Sequence, residues 1–191
     1  MSATSSALPL VTPRLLLREF EAEDWRATHP YESDPEVVRY QSHGVRTPKE
    51  SRDYILRVAE LSRQLPRSVY DLAVVRREDG RLIGRCGMRY TDVSSREGTL
   101  WYILERASWG QGYITEAAQA LLDFSFHTLG LHRMFADCDP RNPGSFRVME
   151  KLGMRREAHF RENGFFKGEW CDSYIYAVLD HEWRARPRTG G

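Results

Sequence analysis

A short loop with two glycines, Gly110 and Gly112, stands directly before an apolar segment with helical spacing. Two glycines let the backbone turn tightly, and the unpaired N–H groups at a helix N-terminus attract phosphate. The sequence has neither the Gly-Lys-Ser/Thr of a nucleoside-triphosphate loop nor the GxGxxG of a dinucleotide-binding unit at this place. The loop is therefore either a phosphate-binding turn or an ordinary helix start in which Thr115 belongs to the capping turn.

A second chemistry-bearing segment runs from Asp139 to Met154 and contains DPRNPGS followed by EKLG. Its Asn142 is of the type that caps helix N-termini. Three more segments precede it, TPRLLLRE at 12–19, WGQGYITEA at 109–117 and LGLHR at 129–133. In this order and separation they resemble the Gcn5-related N-acetyltransferases (GNAT) of the RimJ/RimL-like, ribosomal-protein-alanine branch. The resemblance covers about residues 12–183.

The elements that must position these segments alternate between strand-like and helix-like patterns, which predicts an α/β (α+β) layer structure. The predicted strands are 14–20, 69–76, 82–90, 99–104, 132–138 and a run from 154 that ends near 183. The predicted helices are 21–29, 34–40, a longer one that opens at 47–50 and stops at Pro66, 112–128 and 142–152. Around them, residues 1–11 are predicted as a disordered leader, 12–183 as one domain and 184–191 as a flexible tail.

The resemblance implies the GNAT fold. Its central sheet is mixed, mostly antiparallel and twisted, with about six to seven strands and helices on both faces. A V-shaped splay opens between the fourth and fifth strands, here 99–104 and 132–138. Acetyl-CoA, the implied acyl donor, would lie in that splay. Amides of its pantetheine arm can pair with a free strand edge, and its pyrophosphate would fall on the loop amides. The residues implied in binding it are Ile103, Leu104, Trp109, Gly110, Gln111, Gly112, Tyr113, Ile114, Thr115, Asn142, Phe146 and Arg147.

The loop departs from the family pattern Q/R-x-x-G-x-G/A at two positions. Trp109 occupies the first position, as in the RimJ/RimL-like branch, and Ile114 occupies the last, where a small residue is usual. Gly112 matches the pattern. Because the phosphate is held by main-chain donors, we expect acetyl-CoA binding to survive both changes.

Acetyl transfer needs a proton for the departing thiolate. In many branches of the family a tyrosine seven residues after the asparagine supplies it, but here that position is Met149, which has no proton to give. The RimJ/RimL-like branch implies Ser145 instead. The alternative is a small residue tolerated in the first turn of a helix.

The base that accepts the amine proton is less evident in the sequence. The branch often carries a glutamate at the position that is Thr99 here, and Glu97 stands two residues earlier, on the same face of the strand. Glu97 could substitute for it or be a solvated charge at a strand end. Thr99 and Met149 together keep open a second hypothesis, a catalytically silent acyl-CoA-binding or regulatory domain.

Without the branch glutamate, the basicity of the acceptor amine becomes important. Making the neutral form near pH 7 costs about 1.1 kcal/mol for an α-amine and about 4.6 kcal/mol for a lysine side chain. A site with a weak base therefore favours a protein N-terminal α-amine or a small-molecule amine of low basicity. Irregular segments on a rigid scaffold often hold the substrate. Their candidate residues are Tyr31, Tyr40, Phe165 and Trp170, and packing is the more common use of such aromatics.

Composition excludes several other classes of function. The 191 residues carry 28 Lys and Arg against 27 Asp and Glu, so the net charge of +1 gives no footprint of a nucleic-acid or anionic-membrane binder. Three widely spaced cysteines indicate neither a disulfide framework nor a zinc site, which favours the cytoplasm. The scattered histidines predict no metal. We expect a monomer or a homodimer.

Overall fold

A mixed sheet of eight strands dominates the computed structural model, which describes residues 8–186. The strands are β1 (Leu10–Val11), β2 (Leu15–Arg18), β3 (Val69–Arg76), β4 (Leu82–Asp92), β5 (Glu97–Leu104), β6 (Arg133–Cys138), β7 (Arg155–Phe166) and β8 (Glu169–Leu179). Their spatial order is β1-β2-β3-β4-β5-β6-β8-β7. Every neighbouring pair is antiparallel except β5 and β6. The mixed, mostly antiparallel sheet is confirmed, with eight strands where about six to seven were predicted.

In the described part of the chain six α-helices flank the sheet: α1 (Trp25–Glu32), α2 (Pro35–Val38), α3 (Pro48–Leu61), α4 (Tyr113–Asp123), α5 (Pro143–Lys151) and α6 (Asp180–Arg184). Local signals in the sequence fix several of their starts. Thr47 and Glu50 form a capping box at α3, and the Asn142 side chain caps α5 by accepting a hydrogen bond from the Ser145 N–H. The predicted helix 112–128 is α4 followed by a π-helical turn at Phe124–Thr128.

Two parts of the chain differ from the prediction. Leu10 and Val11 pair with Leu17 and Leu16, so ordered structure begins inside the segment predicted as a disordered leader. The strand run predicted from residue 154 to near 183 is a hairpin of two strands, β7 and β8, followed by α6. Residues 1–7 of the predicted leader and 187–191 of the predicted tail lie outside the described residues.

The alternation of strand side chains divides the core between the two sheet faces. Leu72 and Val74 of β3 pack with Leu121 and Leu122 of α4, whereas the intervening Ala73 packs on the opposite face, in the cluster that includes α1 and α3 residues. Helices therefore cover both faces, as predicted. Each fully buried leucine contributes about 1.5–3 kcal/mol, which makes the scaffold that holds the site rigid.

The sheet splays between β5 and β6. The parallel pairing joins Glu97 to Arg133, Gly98 to Met134 and Thr99 to Phe135, and it ends there. Beyond this point β5 stays paired with β4 and β6 with β8, so each of the two strands has a free edge toward the other. The predicted V-shaped opening is confirmed.

No helix within residues 8–186 is long and apolar enough to cross a membrane.

Candidate functional site

The two-glycine loop forms a tight turn at the N-terminus of α4. The Trp109 indole Nε1 donates to the Leu104 carbonyl oxygen at 2.8 Å, which ties the loop to the end of β5. Gly110 and Gly112 have φ values of 75° and 79°, the left-handed region that favours glycine, and Gly112 is the N-cap of α4. The first N–H groups of α4 have no partner within the helix, so the turn offers the donors that an anion requires.

Arg14 adapts this helix start to a negatively charged ligand. Glu116 lies in the first turn of α4, where its charge would repel a phosphate. The Arg14 Nε donates to Glu116 at 2.6 Å, and Arg14 Nη1 donates to the Gln111 carbonyl oxygen at 2.9 Å. The Thr12 hydroxyl donates to the same carboxylate at 2.7 Å. The charge of Glu116 is thereby balanced, and these hydrogen bonds attach the loop to the chain that enters β2.

The bulk of Ile114 does not fill the loop. Its partly buried side chain packs against the main core, and Tyr113 beside it is buried beneath the Arg14 guanidinium, which lies 4.6 Å from the ring centroid. The departure from the family pattern at Ile114 is therefore taken up by packing. Thr115 is half-buried in the first turn and Gln111 is exposed.

We expect Gly112→Ala to weaken acetyl-CoA binding. A Cβ at φ +79° costs about 1–2 kcal/mol, and relief of that strain turns the loop amides away, so the dissociation constant should rise about 5- to 30-fold. Gly80→Ala is the matched control, because Gly80 has φ +70° in the β3–β4 turn, outside the loop. Calorimetric titration of both variants checks this, and equal affinities would show that the loop amides do not carry the binding.

A cavity of about 730 Å³ opens beside the splay. It is bounded by β3, β4, β5, β6, α3, α5 and the segment 40–46. Strand register aligns Asp71, Gly87 and Trp101 on one face of the sheet. A Cβ on Gly87 would come within 2.4 Å of the Trp101 ring, so the indole lies directly across this glycine. Both Trp101 and Asp71 line the cavity.

Ser145 reaches the same cavity from the first turn of α5. The Tyr102 hydroxyl donates to the Ser145 carbonyl oxygen at 2.9 Å and lies 3.1 Å from Ser145 Oγ. Burial raises the pKa of Tyr102 above its ordinary value, so its hydroxyl stays protonated at neutral pH. A serine hydroxyl and a tyrosine hydroxyl are thus adjacent where Met149, also in the cavity wall, has no proton to donate.

Cys138 lies in the same wall but is not arranged as a nucleophile. Burial raises the pKa of its thiol to about 12, so very little thiolate is present at neutral pH. This disfavours a covalent acyl-cysteine route at the site.

Three carboxylates line the cavity, and they differ in their partners. Asp71 accepts a hydrogen bond from the Tyr54 hydroxyl, and Asp139 is held by the Arg141 guanidinium. Asp137 receives no hydrogen bond and no ion pair from another side chain within residues 8–186. The residue is exposed on the open side of the cavity, yet desolvation by the surrounding groups raises the pKa of its carboxyl, against the opposing effects of its own backbone N–H and of Arg89.

Glu97, the base proposed from the sequence, lies elsewhere. It is not in the cavity wall, and its two oxygens accept hydrogen bonds from Thr91 Oγ1 at 3.0 Å and Arg133 Nε at 2.9 Å. The structure therefore does not bring Glu97 and Ser145 together. Thr99, at the position of the branch glutamate, is in the cavity wall.

The other cofactor candidates lie around the splay in different roles. Ile103 and Leu104 are buried, and the Leu104 carbonyl is already bound by Trp109. Asn142 lines the cavity and also caps α5, accepting from the Ser145 N–H at 3.2 Å. Two more candidates stand on α5: Phe146 packs edge-on against Tyr174, and Arg147 is exposed with no ion pair in the described part of the chain.

The four aromatic residues predicted to hold the substrate lie in different parts of the fold. Tyr40 lines the cavity, whereas Tyr31 belongs to α1 and is buried in the core cluster that also contains α3 residues. Phe165 and Trp170 are exposed and pack on each other near the tip of the β7–β8 hairpin, outside the cavity wall.

Sequence reasoning missed Tyr102, Trp101, Asp137, Asp71 and Arg85, all of which line the cavity. For two of them a signal was present. Asp71 and Arg85 are the charged residues inside the buried stretches of β3 and β4, and a charge in a buried strand requires a functional or ion-pairing explanation.

Comparisons with known proteins agree with this geometry. The family described as "Acetyltransferase (GNAT) domain" matches residues 14–155. The "Uncharacterized N-acetyltransferase YnaD" of Bacillus subtilis is 35% identical over 174 residues, which cover 91% of this chain and 98% of that protein. A spermidine N(1)-acetyltransferase of Escherichia coli is 24% identical, covering 92% and 91%. The crystal structure of a GNAT-family acetyltransferase from Bacillus anthracis superposes with a TM-score of 0.81 at 34% identity, covering 91% and 99%.

The fold, the splay and the helix-start loop are those through which GNAT enzymes use acetyl-CoA as co-substrate. The chain therefore belongs to the GNAT family of acetyltransferases and is an N-acetyltransferase.

Proposed function

We propose that the protein acetylates a primary amine by direct attack on acetyl-CoA in a ternary complex, with Asp137 as base and Ser145 as proton donor. The observation that carries this is the cavity at the splay, where the unpaired Asp137 carboxylate and the Ser145 hydroxyl line one space. The loop at Trp109–Thr115 would hold the pyrophosphate, and the free edge of β5 would pair with the pantetheine amides.

The proton balance of the reaction fits these groups. The amine loses a proton to Asp137, directly or through water, and its nitrogen forms the bond to the thioester carbonyl carbon. As the carbon–sulfur bond breaks, the thiolate takes the Ser145 proton, and Tyr102, 3.1 Å away, gives a proton to Ser145. Water then carries the proton from Asp137 to Tyr102, so the amine proton is balanced by the proton on the CoA thiol and each group returns to its starting state. The raised pKa of Cys138 supports direct transfer over an acyl-enzyme.

The proposal keeps the RimJ/RimL-like branch, on the support of Trp109 and Ser145. It also keeps both acceptor classes predicted from the sequence, a protein N-terminal α-amine or a small-molecule amine. A volume of about 730 Å³ is typical of small-molecule sites. The three cysteines are free and buried, which supports the predicted cytoplasmic location.

Thiol release from acetyl-CoA over a panel of peptides and small amines tests the proposed function. We expect release only when an amine is present, and acetyl-CoA binding without such release would contradict the proposal.

We expect Asp137→Asn to lower kcat/KM about 10²-fold. A base works only when deprotonated, so the wild-type kcat/KM should fall as pH drops through the pKa of Asp137, which lies above the ordinary aspartate value. That acid limb should be lost in the variant. Glu97→Gln is the comparison. If kcat/KM falls about 10²-fold in Glu97→Gln and stays at the wild-type value in Asp137→Asn, the base is Glu97.

A further inference from the structure

Three arginines gather around Tyr54 at the end of the cavity formed by α3, β3 and β4; we name Arg46, Arg57 and Arg85 the arginine end. All three line the cavity, and their guanidinium carbons lie 4.1, 5.4 and 4.3 Å from the Tyr54 ring centroid. Guanidinium groups present fixed forks of donors that match a carboxylate. Such a cluster in the wall of the cavity indicates that the acceptor carries a second functional group besides its amine.

Arg85 has donors without partners although it is almost completely buried. The residue is 4% exposed, and its Nε and Nη1 have no hydrogen-bond partner among the described residues. Glu32 Oε1 lies 3.5 Å from Arg85 Nη1, which is an ion pair rather than a hydrogen bond. A buried donor without a partner is costly, so the vacant donors of Arg85 indicate a ligand group that accepts hydrogen bonds.

The charges at the arginine end do not balance. Two carboxylates face its three guanidinium groups: Glu32, which accepts from Arg46 at 2.6 Å, and Asp71, which accepts from Tyr54. Arg57 is exposed and has no ion pair within residues 8–186. One further negative charge would neutralise the arginine end.

Among the described residues, Glu32 Oε2 and Asp71 Oδ1 are also buried without a hydrogen-bond partner, so a second ammonium group is the competing occupant. Such a group would have to enter beside three guanidinium groups. The excess of positive charge therefore favours an anion over the second ammonium of a polyamine.

We propose that the acceptor is a small amine that also carries a carboxylate, and that this carboxylate binds between Arg57 and Arg85. The inference rests on the proposed function and names its substrate class. The amine would then lie toward Asp137 and the splay, so one molecule spans the cavity from the arginine end to the thioester.

Matched pairs of acceptors test the proposal. Thiol release is measured with α-, β- and γ-amino acids, with their carboxamides and with spermidine. We expect the best acceptor to be an acid whose carboxamide is used at least 10-fold less well, because the amide cannot replace a charge-assisted hydrogen bond. Carboxamides or spermidine used as well as the acids, or better, would overturn the proposal.

Variants locate the carboxylate. Arg57→Gln, at an exposed position, should lower kcat/KM for the acid about 10-fold and leave that for its carboxamide unchanged. Arg85→Lys keeps the charge but loses the planar fork, and it should show the same selective loss. Arg52→Gln is the control, because Arg52 is exposed on α3 but does not line the cavity. Equal losses for acid and carboxamide in Arg57→Gln would overturn the assignment.

Thermal denaturation with each amino acid, in the presence of CoA, separates this inference from the proposed function. Stabilisation of the wild type but not of Arg57→Gln, without thiol release from any amine, would support the arginine end and contradict the acetyl transfer. Thiol release that is equal for acids and carboxamides would support the acetyl transfer and contradict the role of the arginine end. If no acid stabilises the protein or is acetylated, the carboxylate site is wrong.

Discussion

Replacing Ser145 with alanine should lower kcat about 10²-fold and leave the dissociation constant of acetyl-CoA nearly unchanged. The hydroxyl is the one proton donor placed by α5 in the cavity wall, and loss of a positioned general acid costs about 10²- to 10⁴-fold. Binding should persist because it depends on main-chain donors of the loop and on the edge of β5. Steady-state kinetics and calorimetric titration measure the two quantities separately.

Two further variants define the role of Ser145. Tyr102→Phe removes the hydroxyl that lies 3.1 Å from Ser145 Oγ and should give a smaller loss of kcat. Ser62→Ala is the control, since its hydroxyl donates to the Ala59 carbonyl at the end of α3, outside the cavity wall. If kcat of Ser145→Ala equals that of the wild type, thiolate protonation passes to water and Ser145 is only a residue of the first helical turn.

Glu32→Ala should lower the free energy of unfolding by about 3–5 kcal/mol. Glu32 is fully buried, accepts from Arg46 at 2.6 Å and lies 3.5 Å from Arg85. Removing one member of a buried ion cluster leaves the remaining charges uncompensated, which is the costly case. At about 2–4 °C per kcal/mol for a domain of this size, Tm should fall by about 6–20 °C.

Urea denaturation and thermal scans measure the effect of Glu32→Ala. Lys49→Ala is the matched control, because it breaks an ion pair with Asp53 that is exposed on α3, and its Tm should hardly change. If the free energy of unfolding falls no more in Glu32→Ala than in the control, water solvates the charges of Arg46 and Arg85 in the variant. The arginine end would then be open to solvent even in its deepest part.

Features that depend on neighbours in the chain could be predicted. The glycine loop before α4, the cap of α5 by Asn142 and the strand–helix order follow from local backbone and side-chain preferences, and each is found in the structure. The family resemblance used these same segments. The placement of Ser145 in the first turn of α5 follows for the same reason, because Asn142, three residues earlier, is the cap of that helix.

The choice of carboxylate could not be predicted, because it depends on where β5 and β6 part. Glu97 stands in the paired portion, directly opposite Arg133, which binds it across the strands. Asp137 lies two residues beyond the last paired residue of β6, Phe135, where the partner strand has turned away and the side chain faces the cavity. The two residues look equally suitable as isolated strand carboxylates, and only strand register distinguishes them.

The sequence by itself therefore determined the family, the fold class, the acyl donor implied by that family, and the helix starts that can hold phosphate and present Ser145. The tertiary structure alone decided which groups meet at the splay. It joined Tyr102 to Ser145, left Asp137 without an ion pair among residues 8–186, and gathered Arg46, Arg57 and Arg85 from distant segments around Tyr54. The physical reason is that hydrogen-bond and helix-start preferences act over a few residues, whereas charge pairing and burial depend on residues that only the folded sheet brings into contact.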